Sequence, residues 1–184
     1  IGAENPEDYG DYFAWGETSG YNGGKTDFSW STYNYCKGSS STLTKYNNSS
    51  DYGTVDNKTE LELADDAAYA NWGPNWRMPS YDQFKELINS SYTTTEWTTV
   101  NGVNGWKITS KTNGNSLFLP AAGYRGDTSL YNEGSYGYYW SRKLYTSSSD
   151  SARDLLFTSS DIHTDYYGSG RYSGQSVRPV RASQ

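Results

Sequence analysis

The sequence predicts an α+β domain: two helices packed on a twisted antiparallel sheet, with much of the chain in loops. Three observations lead there. Two stretches open with a helix cap and continue with apolar residues at helical spacing. Between 93 and 120 the period drops to two, and Asn-Gly pairs punctuate the runs. The chain holds 19 Gly and only 34% hydrophobic residues, yet 19 Tyr and 7 Trp, so aromatic rings must build the core.

In chain order, residues 1–58 read as loop-rich. Tyr12-Phe13-Ala14-Trp15 suits a short buried strand, and residues 28–33 alternate large and small as a half-buried extended segment would. Residues 38–53, rich in Ser, Asn and Thr, read as a surface loop inserted in one domain. A first helix is expected over 59–72, with Thr59 and Glu62 as capping box and Leu61, Ala64, Ala68 and Trp72 as its buried stripe, ended by Gly73-Pro74. A second follows Pro79, with Ser80 and Gln83 as capping box and Phe84, Leu87 and Ile88 turned inward. Strands are expected at 96–100, 105–110 and 116–120, separated by Asn101-Gly102, Asn104-Gly105 and Asn113-Gly114. At 152–159, parity sends Leu155 and Phe157 to the core and Asp154, Leu156 and Thr158 to the opposite, outward side, with Ile162 inward and Asp161 and His163 outward beyond.

At 184 residues the chain reads as a single domain, and its opening Ile-Gly-Ala suggests a piece of a longer protein with further domains upstream. A net charge of −6 argues against nucleic acid as a partner. No apolar run is long enough for a membrane-spanning helix. Cys36 stands alone, which rules out an internal disulfide and a cysteine metal cluster, and is expected to be a half-buried thiol. His163, the only histidine, has no nucleophile signature around it, and the Asp65-Asp66 and Glu60/Glu62 pairs read as helix cap and solvated face. No catalytic residue and no cofactor are expected. A structural Ca²⁺ is the minor alternative, from Asp8, Asp11 and Glu17 or from Asp150, Asp154, Asp161 and Asp165, although EF-hand spacing is lacking.

The last stretch, 138–181, holds a variable-looking middle between two rigid ends. Tyr138-Tyr139-Trp140-Ser141 and Ser176-Val177-Arg178-Pro179-Val180-Arg181 are the ends, with Arg77, Arg178 and Arg181 expected to lock them by pairing with acids and stacking on rings. Between them Tyr, Ser, Asp and Gly dominate, a mixture like that of antibody contact loops. The expected contact set is Tyr145, Ser147, Asp154, Leu156, Thr158, His163, Asp165, Tyr166, Tyr167, Ser169, Arg171 and Tyr172, with Tyr and Arg as anchors. Its expected partner is a protein or cell-surface ligand; the rival reading is a carbohydrate-binding or adhesive domain of fixed specificity.

Trp72-Gly73-Pro74-Asn75-Trp76-Arg77-Met78-Pro79-Ser80 resembles a block of the Fibrobacter succinogenes major paralogous domain. The likeness extends to 8–17, to Asn115-Ser116-Leu117-Phe118-Leu119-Pro120-Ala121-Ala122-Gly123-Tyr124-Arg125, and to the two rigid ends. That resemblance implies a C-type-lectin-like fold, related to formylglycine-generating enzymes, and a protein at the surface of gut Bacteroides-type bacteria or on their phages. The ending is similar to the variable proteins of diversity-generating retroelements, in which adenines of mostly Asn codons are randomised. Residues 145–173 contain what such codons can become, and no Asn. A lone cysteine departs from the formylglycine-generating enzymes, and the calcium motifs and disulfides of sugar-binding C-type lectins are missing.

Overall fold

A computed structural model describes residues 1–164 and 167–182. In chain order its regular elements begin with β1 (Tyr12–Phe13), α1 (Ala67–Trp72), β2 (Trp76–Arg77) and α2 (Tyr81–Leu87). Then come β3 (Thr93–Val100), β4 (Val103–Ser110), β5 (Ser116–Pro120), β6 (Tyr124–Gly126) and β7 (Ser129–Tyr131). The last are β8 (Gly137–Leu144), β9 (Ser151–Phe157), β10 (Ile162–His163), β11 (Ser169–Gly170), β12 (Gln175–Ser176) and β13 (Val180–Arg181). Small, mostly antiparallel sheets and two short helices make this an α+β chain.

The central sheet runs β1-β12-β8-β9-β10, with β11 also pairing β9. One of its faces carries Tyr139, Leu155 and Phe157. These pack with Phe84 of α2 and with Trp106, Ile108 and Leu119 of the β3-β4-β5 sheet. The other face carries Trp140 and Ala152, which join Phe13, Trp15, Tyr46 and Val177. Trp15 and Trp140 are fully buried, and each indole donates to a backbone carbonyl, of Ser141 and Phe13 respectively, at 2.8 Å. Aromatic rings thus fill the interior while their polar edges stay paired.

The expected β3-β4-β5 meander is present. Asn101 and Gly102 both have positive φ, as a two-residue hairpin turn requires, and β3 pairs β4 from Thr93↔Ser110 to Val100↔Val103. Asn104-Gly105, expected as a second turn, lies inside β4. There a Cβ on residue 105 would fall 2.3 Å from the Leu119 carbonyl oxygen, so the glycine serves close strand approach and not a turn.

The second helix matches its expected capping box: Ser80 Oγ accepts from Gln83 N–H and the Gln83 side chain accepts from Ser80 N–H. The first differs. It begins at Ala67, because residues 59–61 bond to the edge of β8 instead: Leu61 N–H donates to Arg142 O and Leu144 N–H to Thr59 O. A backbone committed to a strand edge cannot also form a helical turn. Its cap is Asp66, which accepts from Ala68 and Tyr69 and, with both oxygens, from Met78 N–H. Ala64 and Trp72 of the expected stripe are exposed, whereas Asp65 and Asp66, expected in part as a solvated face, are buried.

Two loop expectations also change. Residues 29–32 form a turn closed by Thr32 N–H to Ser29 O, not an extended segment. The 38–53 stretch contributes Leu43, Tyr46 and Asn47 to the interior, so it is partly core despite its polar composition. Cys36 is half-buried, its thiol donating to Trp30 O at 3.1 Å. Among the described residues, no helix is long and apolar enough to cross a membrane.

Candidate ligand-binding surface

The two ends of the 138–181 stretch are neighbours in the central sheet: Ser176 of β12 lies beside Tyr139 of β8 in parallel register. Between them the chain turns into β9, then doubles back along that strand's free edge as β10 and β11. Cross-strand register places Tyr138, Leu156 and His163 in one row. Asp154 and Ser169 lie on the same side of the sheet, since Ser169 pairs with Ala152, two residues before Asp154. Leu155 and Phe157 point the opposite way and are fully buried, as parity requires.

Parity alone does not decide exposure. Asp154, expected to face solvent, is only 5% exposed. Ser169 Oγ donates to its Oδ2 at 2.6 Å and Gln175 Nε2 donates to the same oxygen at 2.9 Å, so β11 and β12 cover it. Burial raises its carboxyl above the ordinary aspartate range, against the opposing pull of those two donors.

Arg171, expected as an outward anchor, is a second correction. It is fully buried, and its guanidinium donates to Tyr33 Oη and to the carbonyls of Tyr46, Ser149 and Lys45, all at 2.9–3.0 Å. It also lies 5.0 Å from the Trp15 ring centre and 5.3 Å from that of Tyr33. Four charge-assisted bonds and two π-faces replace its hydration, which makes burial of the cation tolerable. Arg171 is therefore a bolt fixing the returning chain to the 33–47 segment, and not a contact residue.

The rest of the expected set is accessible to differing degrees. Tyr167 is 79% exposed and Ser147 is exposed; Leu156, Thr158, His163, Ser169 and Tyr172 are half-buried. Tyr145 is half-buried too, with the Arg153 guanidinium 4.5 Å from its ring centre. Asp165 and Tyr166 lie outside the described residues. Of the locking arginines, Arg77 stacks on Tyr69 at 4.7 Å and donates to the carbonyls of Pro74 and Trp76, where an acid was expected; Arg178 and Arg181 are exposed. The chain end is held by β13 pairing with β2.

Sequence reasoning missed the tyrosines beside this surface. Tyr124, Tyr131, Tyr136 and Tyr138 form a connected cluster, with ring centres 5.1–6.1 Å apart in successive pairs. Tyr124 and Tyr138 of this cluster, with Tyr172, border a pocket of about 250 Å³ that Ser169 and Gln175 also line. The run of tyrosines from 124 to 138 was the available signal, but only the β6–β7 hairpin brings Tyr131 back onto Tyr124.

Most of the acids considered for calcium have protein partners, Asp150 and Asp154 among them; Asp161 is exposed and Asp165 lies outside the described residues. Asp11 accepts from Tyr12 and Asn22, Glu17 pairs with Lys25 at 2.8 Å, and Asp8 caps the turn at Glu4 and Asn5. Among the described residues, no three His, Cys, Asp or Glu side chains converge as a metal site. Comparison of the chain with family models, with curated proteins and with solved structures finds no match.

Proposed function

We propose that this domain is a non-enzymatic ligand-binding module, of C-type-lectin-like fold, whose 138–181 stretch displays an exchangeable contact surface at a cell surface or on a phage particle. The observation that carries the reading is the fixing of that stretch at several separate points. Ser176 pairs beside Tyr139, Arg171 is bolted to the interior, and β10 and β11 hold the returning chain on β9. A backbone so constrained can present Ser147, Leu156, Thr158, His163 and Tyr167, together with Ser169 and Tyr172, which also brace it through Asp154 and Trp30. Tyrosine and serine there suit a protein partner, since rings give contact area at low entropic cost.

The likeness to variable proteins of diversity-generating retroelements makes a direct check available. DNA flanking the gene should contain an Asn-rich near-copy of residues 138–181 and a reverse transcriptase; their absence would remove the diversification part of the reading. A displayed library varied at 147, 156, 158, 163, 167, 169 and 172, with Asp154 and Arg171 held, should yield binders to an arbitrary folded protein. A library that unfolds, or gives no binder, would remove the rest. The exposed tyrosine cluster favours one second reading, a fixed carbohydrate-binding domain, because sugar rings stack on such faces. Strong selective signals for the native protein on a glycan array would support it instead.

A further inference from the structure

The hydrogen-bond directions beneath the tyrosine-bordered pocket restrict what it can hold. Asp154 lies behind two of its lining residues, accepting from the only hydroxyl of Ser169 and from the amide nitrogen of Gln175. With its one proton committed inward, Ser169 Oγ can offer only lone pairs elsewhere. Gln175 is 1% exposed, and with its nitrogen facing Asp154 its Oε1 is a buried acceptor without a partner among the described residues. Such an atom is destabilising unless something donates to it. Two acceptors backed by a carboxyl and bordered by the rings of Tyr124, Tyr138 and Tyr172 favour a group rich in donors.

From this we infer that the pocket binds a primary alkylammonium group, as found on a lysine side chain. Such a group has three donors and no acceptor, carries the charge that tyrosine faces attract, and leaves an apolar stem for the rim. A sugar hydroxyl, neutral and with a single proton to give, would satisfy at most one of the two acceptors and gain nothing from the attraction of the rings for charge. At about 250 Å³ the space is smaller than that of a typical drug-sized site, so it takes a side-chain-sized group and not a whole large molecule. The chain's net charge of −6 favours approach of a cation. Three of the pocket's members, Tyr124, Tyr138 and Gln175, lie outside the 145–173 window, so part of the site would persist while Ser169 and Tyr172 changed. The inference rests on the binding-module reading and assigns a ligand chemistry to one part of its surface.

Titration of the native protein with n-butylammonium, tetramethylammonium, n-butanol and methyl α-mannoside, followed by backbone amide NMR, tests it. Saturable shifts at Ser169, Gly170 and Ser173 are expected with n-butylammonium, at least about tenfold tighter than with any of the other three. Asp154→Asn and Tyr138→Leu should each weaken n-butylammonium binding by about tenfold or more, with fold checked by the dispersion of the same spectra. Equal binding of tetramethylammonium would overturn the acceptor argument, and preferential binding of the mannoside or of butanol would overturn the inference as a whole. So would the absence of any saturable shift, or unchanged affinity in both folded variants. If Asp154→Asn does not fold, Tyr138→Leu and the four-probe comparison on the native protein decide. A library that still yields protein binders while the native pocket ignores n-butylammonium would sink this inference and leave the module reading standing.

Discussion

Arg171 and Asp154 both lie in a polar stretch that reads as solvent-facing, and both are interior. For Arg171 the decisive partners are carbonyls of Lys45, Tyr46 and Ser149, distant in sequence from one another or from the arginine itself. Replacing it with Met leaves those acceptors buried and unpaired, at roughly 1–3 kcal/mol each before relaxation. Arg171→Met should therefore cost on the order of 3 kcal/mol in chemical denaturation; a loss below about 1 kcal/mol would place the guanidinium in solvent. Asp154 makes a prediction of opposite sign to that of a salt-bridged acid. Its folded-state pKa is raised, so it favours the folded state at low pH, and that contribution is lost as pH rises from the unfolded value, about 3.9, through the folded one. Carboxyl-carbon NMR should find Asp154 titrating above the ordinary aspartate range; a midpoint at or below about 3.9 would contradict its burial. Neither residue was legible in the sequence as interior, because local pattern gives the side of a strand and not what comes to cover it. Asp65 shows the same limit. Burial opposes its charge, but donors from Lys45, Tyr46 and Tyr35 together outweigh this and hold its pKa down, and none of these is close by in sequence.

Elements were readable where their determinants are local. Ser80 with Gln83, and Asn101 with Gly102, specify α2 and the β3–β4 hairpin through contacts within a few residues, and both are present. Thr59 with Glu62 has the same signature, yet the α-helix starts only at Ala67 with Asp66 as its cap, because the edge of β8 takes up the backbone groups of 59–61. A capping signal is thus a local preference that a long-range strand contact can override. Gly137, at the start of β8, is a further case with no sequence signal. A Cβ there would lie 2.0 Å from the ring of Phe157, its register partner on β9. Since that ring is fully buried it has little room to retreat, and Gly137→Ala should cost about 1–3 kcal/mol. A thermal melt unchanged by this substitution would show that the ring moves freely and that the β8–β9 core is looser than described.

Across the whole molecule, stability and display are carried by different atoms. The interior rests on Trp15, Trp140, Phe157 and the rings around them, whereas Ser147, Ser159, Asp161 and Tyr167 are exposed. Changing those four together to Ala should shift the melting temperature by less than about 4 °C, since each is a surface substitution away from caps and core. A drop well beyond that would make them part of the scaffold. The α+β class was recoverable from composition and period, but the layout of the surface was not, since it depends on β8 and β12 meeting side by side across nearly forty positions of chain. That meeting has a consequence for the kinds of change such a surface can absorb. The path from Tyr139 to Ser176 is measured out: β9 must present Leu155 and Phe157 inward, and β11 must arrive with Ser169 opposite Ala152. Adding or removing one residue within β9 would turn every later side chain of that strand to the wrong side. Identity can vary here while length cannot, so evolution or an engineer would have to explore this surface by replacing letters and never by inserting them into the strand.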